Sequence, residues 1–199
     1  DVCSSDLVVH PGNTMTIYPE ELIDHVREAV ENNPEIKIWN LSLGTTMESE
    51  LDEFSEFGMA LDNIQDENNV LIIKSAGNCN NFAKGLPKSR ISKTADSVRS
   101  LVVGSIAETQ GEHDYAEPNM PSPFTRVGPG PASIVKPDLV FYGGNAGVDK
   151  GKLVINGVPS FGLDGNIYKN VGTSFSTPRV SRIAAELAFM MHEDFDALL

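Results

Sequence analysis

The seven residues Gly172-Thr173-Ser174-Phe175-Ser176-Thr177-Pro178 constrain this chain more than any other segment. The glycine permits a tight turn. Behind it runs an apolar, helix-compatible series: Val180, Ile183, Ala184, Leu187, Ala188 and Met191. The spacing predicts a helix that opens at or near Ser174. Unpaired amides and the helix dipole favour negative charge at that point. A serine that attacks an acyl carbon gains from the position, because an oxyanion grows beside it. Pro178 fits only near a helix start, where its missing amide does little harm. Gly-Thr-Ser alone would also fit a Ser/Thr-rich N-cap on an ordinary core helix.

The full string is more demanding. It resembles the nucleophile motif of the subtilisin-like serine peptidases, G-T-S-x-[AS]-x-P. It does not fit the elbow G-x-S-x-G, since Ser176 takes the place of the second glycine. The resemblance implies that Ser174 is the nucleophile.

Two further segments match the same family in order. Val70-Leu71-Ile72-Ile73-Lys74-Ser75-Ala76-Gly77-Asn78 reads as a buried strand running into a turn. Its four branched apolar residues suit a parallel strand covered on both faces. An isolated Ala-Gly-Asn would be a turn asparagine. Behind this strand it resembles the family's oxyanion segment, which implies that the Asn78 amide and the Ser174 backbone N–H bind the tetrahedral intermediate. In subtilisin itself, loss of that side-chain donor costs about 2.7–4 kcal/mol. Ile36-Lys37-Ile38-Trp39-Asn40-Leu41-Ser42-Leu43-Gly44 resembles the family's N-[LM]-S-[LF]-G strand. The resemblance implies substrate-binding roles for Ser42, Leu43, Gly44 and Gly77, with main-chain groups at an open strand end holding an extended peptide. By itself the segment is a core strand ending in a turn glycine. Pro123–Pro129 and Lys136–Val140 are similar to the family's F-S-S-x-G-P and K-P-D-[IL] regions and receive no chemistry.

The family's catalytic aspartate and histidine motifs, D-[ST]-G and H-G-T-x-V-[AS]-x, are absent from the chain. In the triad the histidine takes the serine proton and the aspartate orients the histidine. The four histidines, His10, His25, His113 and His192, lack the small flanking residues of the catalytic helix. Each reads as a surface or capping residue, and His10 precedes a Pro-Gly turn. In family order both motifs belong upstream of a strand beginning near Leu7. Asp1-Val2-Cys3-Ser4-Ser5-Asp6 is the translation of GACGTGTGCTCTTCCGAT, part of a widely used sequencing adapter. The expectation is therefore that residues 1–6 are non-native and that 7–199 form a partial peptidase domain, truncated at the N-terminus. A native or proteolytic N-terminus is the competing reading.

Composition narrows the classes. A chain of 199 residues with 40% hydrophobic and 22% charged residues is ordinary for a globular domain. No run of about 18 apolar residues occurs, so neither a transmembrane helix nor a membrane partner is expected. A net charge of −13 argues against a nucleic-acid partner. The two cysteines, Cys3 and Cys79, give no disulfide framework. Cys79 follows Asn78 directly, and without a histidine motif it reads as a small buried or loop residue. Thiol usage favours a cytoplasmic over a secreted location. No metal site or other cofactor is expected; family members often carry structural calcium, and no calcium loop is found here.

Alternating patterns predict an α/β fold, a subtilisin-like doubly wound parallel sheet flanked by helices. Strands are expected at Leu7–Val9, Ile36–Leu43, Val70–Lys74, Ser100–Ile106, Leu139–Tyr142 and Leu153–Val158. Helices are expected at Glu20–Glu31, at Glu48–Asp66 (apolar side Leu51, Phe54, Met59, Leu61 and Ile64) and after Gly172. Ala107–Val135 reads as loops, and Gly143–Gly147 as a flexible loop.

Two functions remain. One is the C-terminal part of a serine endopeptidase, inactive alone and acting on peptide or protein substrate. The other is a non-catalytic peptide-binding pseudoprotease. Gly128–Pro131, Lys136–Leu139 and Tyr142–Asn145 also look like a bacterial intracellular subgroup associated with ATPases, which implies an ATPase partner.

Overall fold

The strand at Leu71–Ser75 is buried on both faces, and the rest of the fold is arranged around it. The computed structural model describes residues 19–196. Helix α1 (Pro19–Asn32) leads to strand β1 (Ile38–Leu41), helix α2 (Glu56–Asn68), and strands β2 (Leu71–Ser75), β3 (Leu101–Ile106) and β4 (Leu139–Tyr142). These strands form one sheet in the order β1-β2-β3-β4, parallel throughout. Two antiparallel hairpins follow: β5 (Asn145–Asp149) with β6 (Lys152–Asn156), then β7 (Val158–Phe161) with β8 (Ile167–Asn170). Helix α3 (Thr173–Asp196) ends the described chain. The expected Leu7–Val9 strand, residues 1–6 and His10 lie outside the described residues, as does the side chain of His192.

Neighbouring residues of a strand face opposite sides, so Ile72 and Ile73 serve different layers. Ile72 packs with Leu22, Val26 and Val30 of α1 and with Phe57, Leu61 and Ile64 of α2. Ile73 and Val103 lie under Val180 of α3, with Ile38, Phe141 and Ala184 alongside. Helices therefore cover both faces of a parallel sheet, as the sequence pattern requires. Full burial of each large side chain is worth about 1.5–3 kcal/mol.

Three local expectations are corrected. Helix α2 begins at Glu56 and not at Glu48, because residues before it are held by other partners. Glu48 bridges Ser92, and the Ser49 N–H bonds to the Ile91 carbonyl at 2.9 Å. Ser55 is extended, and its Oγ accepts the Gly58 N–H at 2.9 Å, which starts the helix. Leu51 and Met59 are exposed, and Phe57 takes the core position.

The Gly143–Gly147 loop is a second correction, because Asn145, Ala146 and Gly147 are buried in β5. The Asn145 side chain donates to the Thr109 and Ala116 carbonyls at 2.9 and 2.7 Å. The Leu153–Val158 segment divides into β6 and β7 at Gly157.

Third, α3 uses only part of its apolar run. Val180 packs into the core with Ala184 against it, whereas Ile183, Leu187 and Met191 are exposed. Pro178 lies inside α3, one turn past Ser174, so the Ser174 carbonyl has no helical N–H four residues on.

Candidate active site

The C-terminal ends of β1 and β2 and the start of α3 meet at one edge of the sheet. Each brings one of the segments singled out in the sequence. The crevice beyond strand C-termini is where ligands bind in open α/β sheets.

Gly172 makes the turn into α3 at φ +152°, a region that favours glycine. A Cβ there would lie 3.2 Å from the Asn78 amide nitrogen. Ser174 follows in the first helical turn, exposed, where its own N–H has no helical acceptor. The Ser174 Oγ donates to the Ser42 carbonyl at 3.3 Å. Nucleophile candidate and strand-end segment thus touch directly.

Asn78 is fixed from α3. Its Oδ1 accepts the Thr173 backbone N–H at 2.9 Å and lies 3.2 Å from the Thr173 hydroxyl. A backbone N–H can only donate, so the side-chain oxygen must face Thr173 and the NH2 must face away. Among the described residues no acceptor takes those Nδ2 hydrogens. Asn78 is exposed, so they are free to meet an incoming anion.

Gly77 is buried, with both backbone groups engaged inside the protein. Its N–H donates to the Thr173 Oγ1 at 3.2 Å, and its carbonyl accepts the Arg126 N–H at 3.2 Å. At φ +98° its part is to make the turn that presents Asn78.

Ser42 and Leu43 are half-buried and Gly44 is exposed. The Ser42 hydroxyl pairs with the Asn40 side chain, and Asn40 also accepts from Ser181 of α3 at 3.0 Å. The Leu43 carbonyl accepts from the Lys74 ammonium and from the Ser75 hydroxyl, the latter at 3.1 Å. A Cβ on Gly44 would come within 3.2 Å of the Ser92 hydroxyl.

Thr173 and Lys74 are the residues that sequence reasoning passed over. Thr173 is fully buried and links Gly77, Asn78 and the helix start. Its signal lay in the Gly-Thr-Ser string. Lys74 is fully buried, and among the described residues no carboxylate pairs with it. Burial pushes its ammonium down to about 7. Its signal was a lone charge within an apolar strand.

No described histidine hydrogen-bonds to Ser174. His25 lies on α1 with its Nδ1 buried, and His113 approaches Asp149 at 4.0 Å. Cys79 is a half-buried free thiol whose N–H bonds to the Phe124 carbonyl at 2.8 Å. Among the described residues no group of three or more metal-ligating side chains occurs, and no helix is long and apolar enough to cross a membrane.

The chain belongs to the Subtilase family (peptidase S8), whose sequence profile matches residues 4–191. It is similar to the uncharacterized protein y4bN of Sinorhizobium fredii, at 34% identity over 162 residues. That match takes in 64% of this chain and 38% of the relative. Among solved structures it is similar to the prenylagaramide maturation protease PagA, with TM-score 0.65 and 21% identity. The match spans 94% of this chain and 55% of PagA. The epidermin leader peptide processing protease EpiP of Staphylococcus aureus gives TM-score 0.54 at 17% identity, spanning 83% of this chain and 43% of EpiP. At these identities the structural likeness shows the fold, which is subtilisin-like. The chain spans about half the length of PagA and less of the other two.

Proposed function

We propose that this chain is the nucleophile-bearing part of a serine endopeptidase. Ser174 attacks the scissile carbonyl, and the Asn78 Nδ2 and the Ser174 backbone N–H hold the resulting oxyanion. Ser42, Leu43 and Gly44 form the strand end along which an extended peptide lies. The Ser42 carbonyl, now occupied by the serine hydroxyl, becomes an acceptor for the peptide once the hydroxyl turns towards its base. In this reading the histidine and aspartate that handle the proton are supplied from outside these 199 residues. The extra length of the relatives supports that reading.

The observation that carries the proposal is the bond from Thr173 to Asn78. With its oxygen turned to Thr173, the Asn78 amide keeps its NH2 free near the turn that leads into Ser174, which supports the reading. An ordinary N-cap needs no such partner from a distant strand. The test is to express the complete open reading frame and measure hydrolysis of a peptide library, with Ser174→Ala as control. Serine-dependent cleavage is expected. A complete protein that binds peptides without cleaving them would establish the pseudoprotease reading instead. Co-purification from the native host tests the ATPase partner.

A further inference from the structure

Arg126 carries no assigned role, yet it is only 3% exposed and lies directly behind the Asn78 turn. Its Nε donates to the Asn78 carbonyl at 3.1 Å. Nη1 donates to the Arg90 carbonyl at 2.9 Å and the Met47 carbonyl at 3.3 Å, and Nη2 to the Thr46 carbonyl at 2.6 Å. Among the described residues no carboxylate pairs with it. A buried cation is costly unless its hydrogens are satisfied, and here backbone carbonyls alone satisfy it.

The carbonyls belong to the segments that border the candidate site. Thr46 and Met47 continue the Ser42–Gly44 strand end, and Asn78 carries the candidate oxyanion donor. The arginine stem passes against Gly77, where a Cβ would sit 2.9 Å from the Arg126 Cδ. Only a planar fork with several fixed N–H groups spans three chain segments at once; a lysine offers one nitrogen.

We propose that Arg126 is a positioning residue for the oxyanion donor. It holds the main-chain oxygen of Asn78 while Thr173 holds the side-chain oxygen, so the free NH2 has one direction. Its bonds to the Thr46 and Met47 carbonyls anchor the guanidinium itself, so the Asn78 turn is held against a fixed point. The catalytic consequence rests on the endopeptidase reading; the structural link does not.

Two measurements separate them. In this chain, nitrogen relaxation of the Asn78 side-chain amide reports its order, which is expected to fall in Arg126→Met relative to the unaltered chain. Arg126→Lys keeps the charge and serves if the methionine variant does not fold. An unchanged order parameter in a folded variant overturns the proposal, whatever the activity. In the complete protein, Arg126→Lys is expected to lower kcat about tenfold with little change in KM, the pattern of an interaction made in the transition state. In an Asn78→Ala background that loss should shrink to under about twofold, since coupled residues are not additive. Equal losses in both backgrounds would show a general structural role and overturn the proposal. Lost amide order in a protein whose wild type does not cleave would sink the endopeptidase reading and leave the positioning link standing.

Discussion

The Asn78 side-chain oxygen accepts the Thr173 backbone N–H at 2.9 Å across 95 residues of sequence. This bond turns two local motifs into one site. It orients the asparagine, and it does so from the residue immediately before the nucleophile candidate.

Asn78→Ala should therefore act on the chemical step. In the complete protein kcat is expected to fall about 10²–10³-fold with KM little changed, the usual result of losing one oxyanion donor. Steady-state kinetics on one peptide substrate provide the measurement. An equal rise in KM at constant kcat would place Asn78 in ground-state binding.

Thr173→Val should cost stability as well as activity. The change removes the hydroxyl that accepts the Gly77 N–H and leaves that buried donor unpaired. A loss of about 1–3 kcal/mol is expected in urea unfolding of this chain. A loss below a few tenths would show that the Gly77 N–H finds another partner.

The chain by itself should be nearly inert. On the endopeptidase reading, a serine site that lacks a histidine and an aspartate keeps only the acceleration from oxyanion binding and substrate positioning. Casein hydrolysis by the purified chain should match that of Ser174→Ala. Turnover well above that control would mean that a base exists within these residues.

Lys74 should make stability depend on pH. Its ammonium is disfavoured in the fold, where its pKa falls to about 7, while the unfolded chain keeps 10.5. Between those values the unfolded state binds more protons, so stability rises with pH across that window. The burial cost is full below about pH 7 and gone above about 10.5. Urea unfolding at pH 7 and pH 9 should show an increase that Lys74→Met reduces by on the order of a few kcal/mol. Identical pH dependence in both proteins would place the lysine in contact with water.

Much of the sheet was legible because its strands are short apolar runs bounded by turn residues. Leu139–Tyr142 was placed to the residue, and β2 to within one at each end. Before helix α2 the pattern misleads, because Leu51 and Phe54 continue a helical spacing that the local hydrogen bonds override. The bond from Ser55 to Asp96 spans 41 residues, and no local pattern reveals it. At the site, Ser174 and Asn78 stood out through their flanking glycines and small residues. Thr173, Lys74 and Arg126 did not, because their partners (backbone carbonyls for the two cations, Gly77 and Asn78 for the threonine) are brought near only by folding. A main-chain acceptor leaves no mark on composition.

The donor and the nucleophile come from the second and the last of the segments described, and α3 is needed to aim both. During synthesis on the ribosome, a chain that has emerged only as far as β8 has neither a serine at a helix mouth nor an oriented asparagine. The bond between Asn78 and Thr173 can then form only once α3 has docked, so this edge of the sheet is completed last.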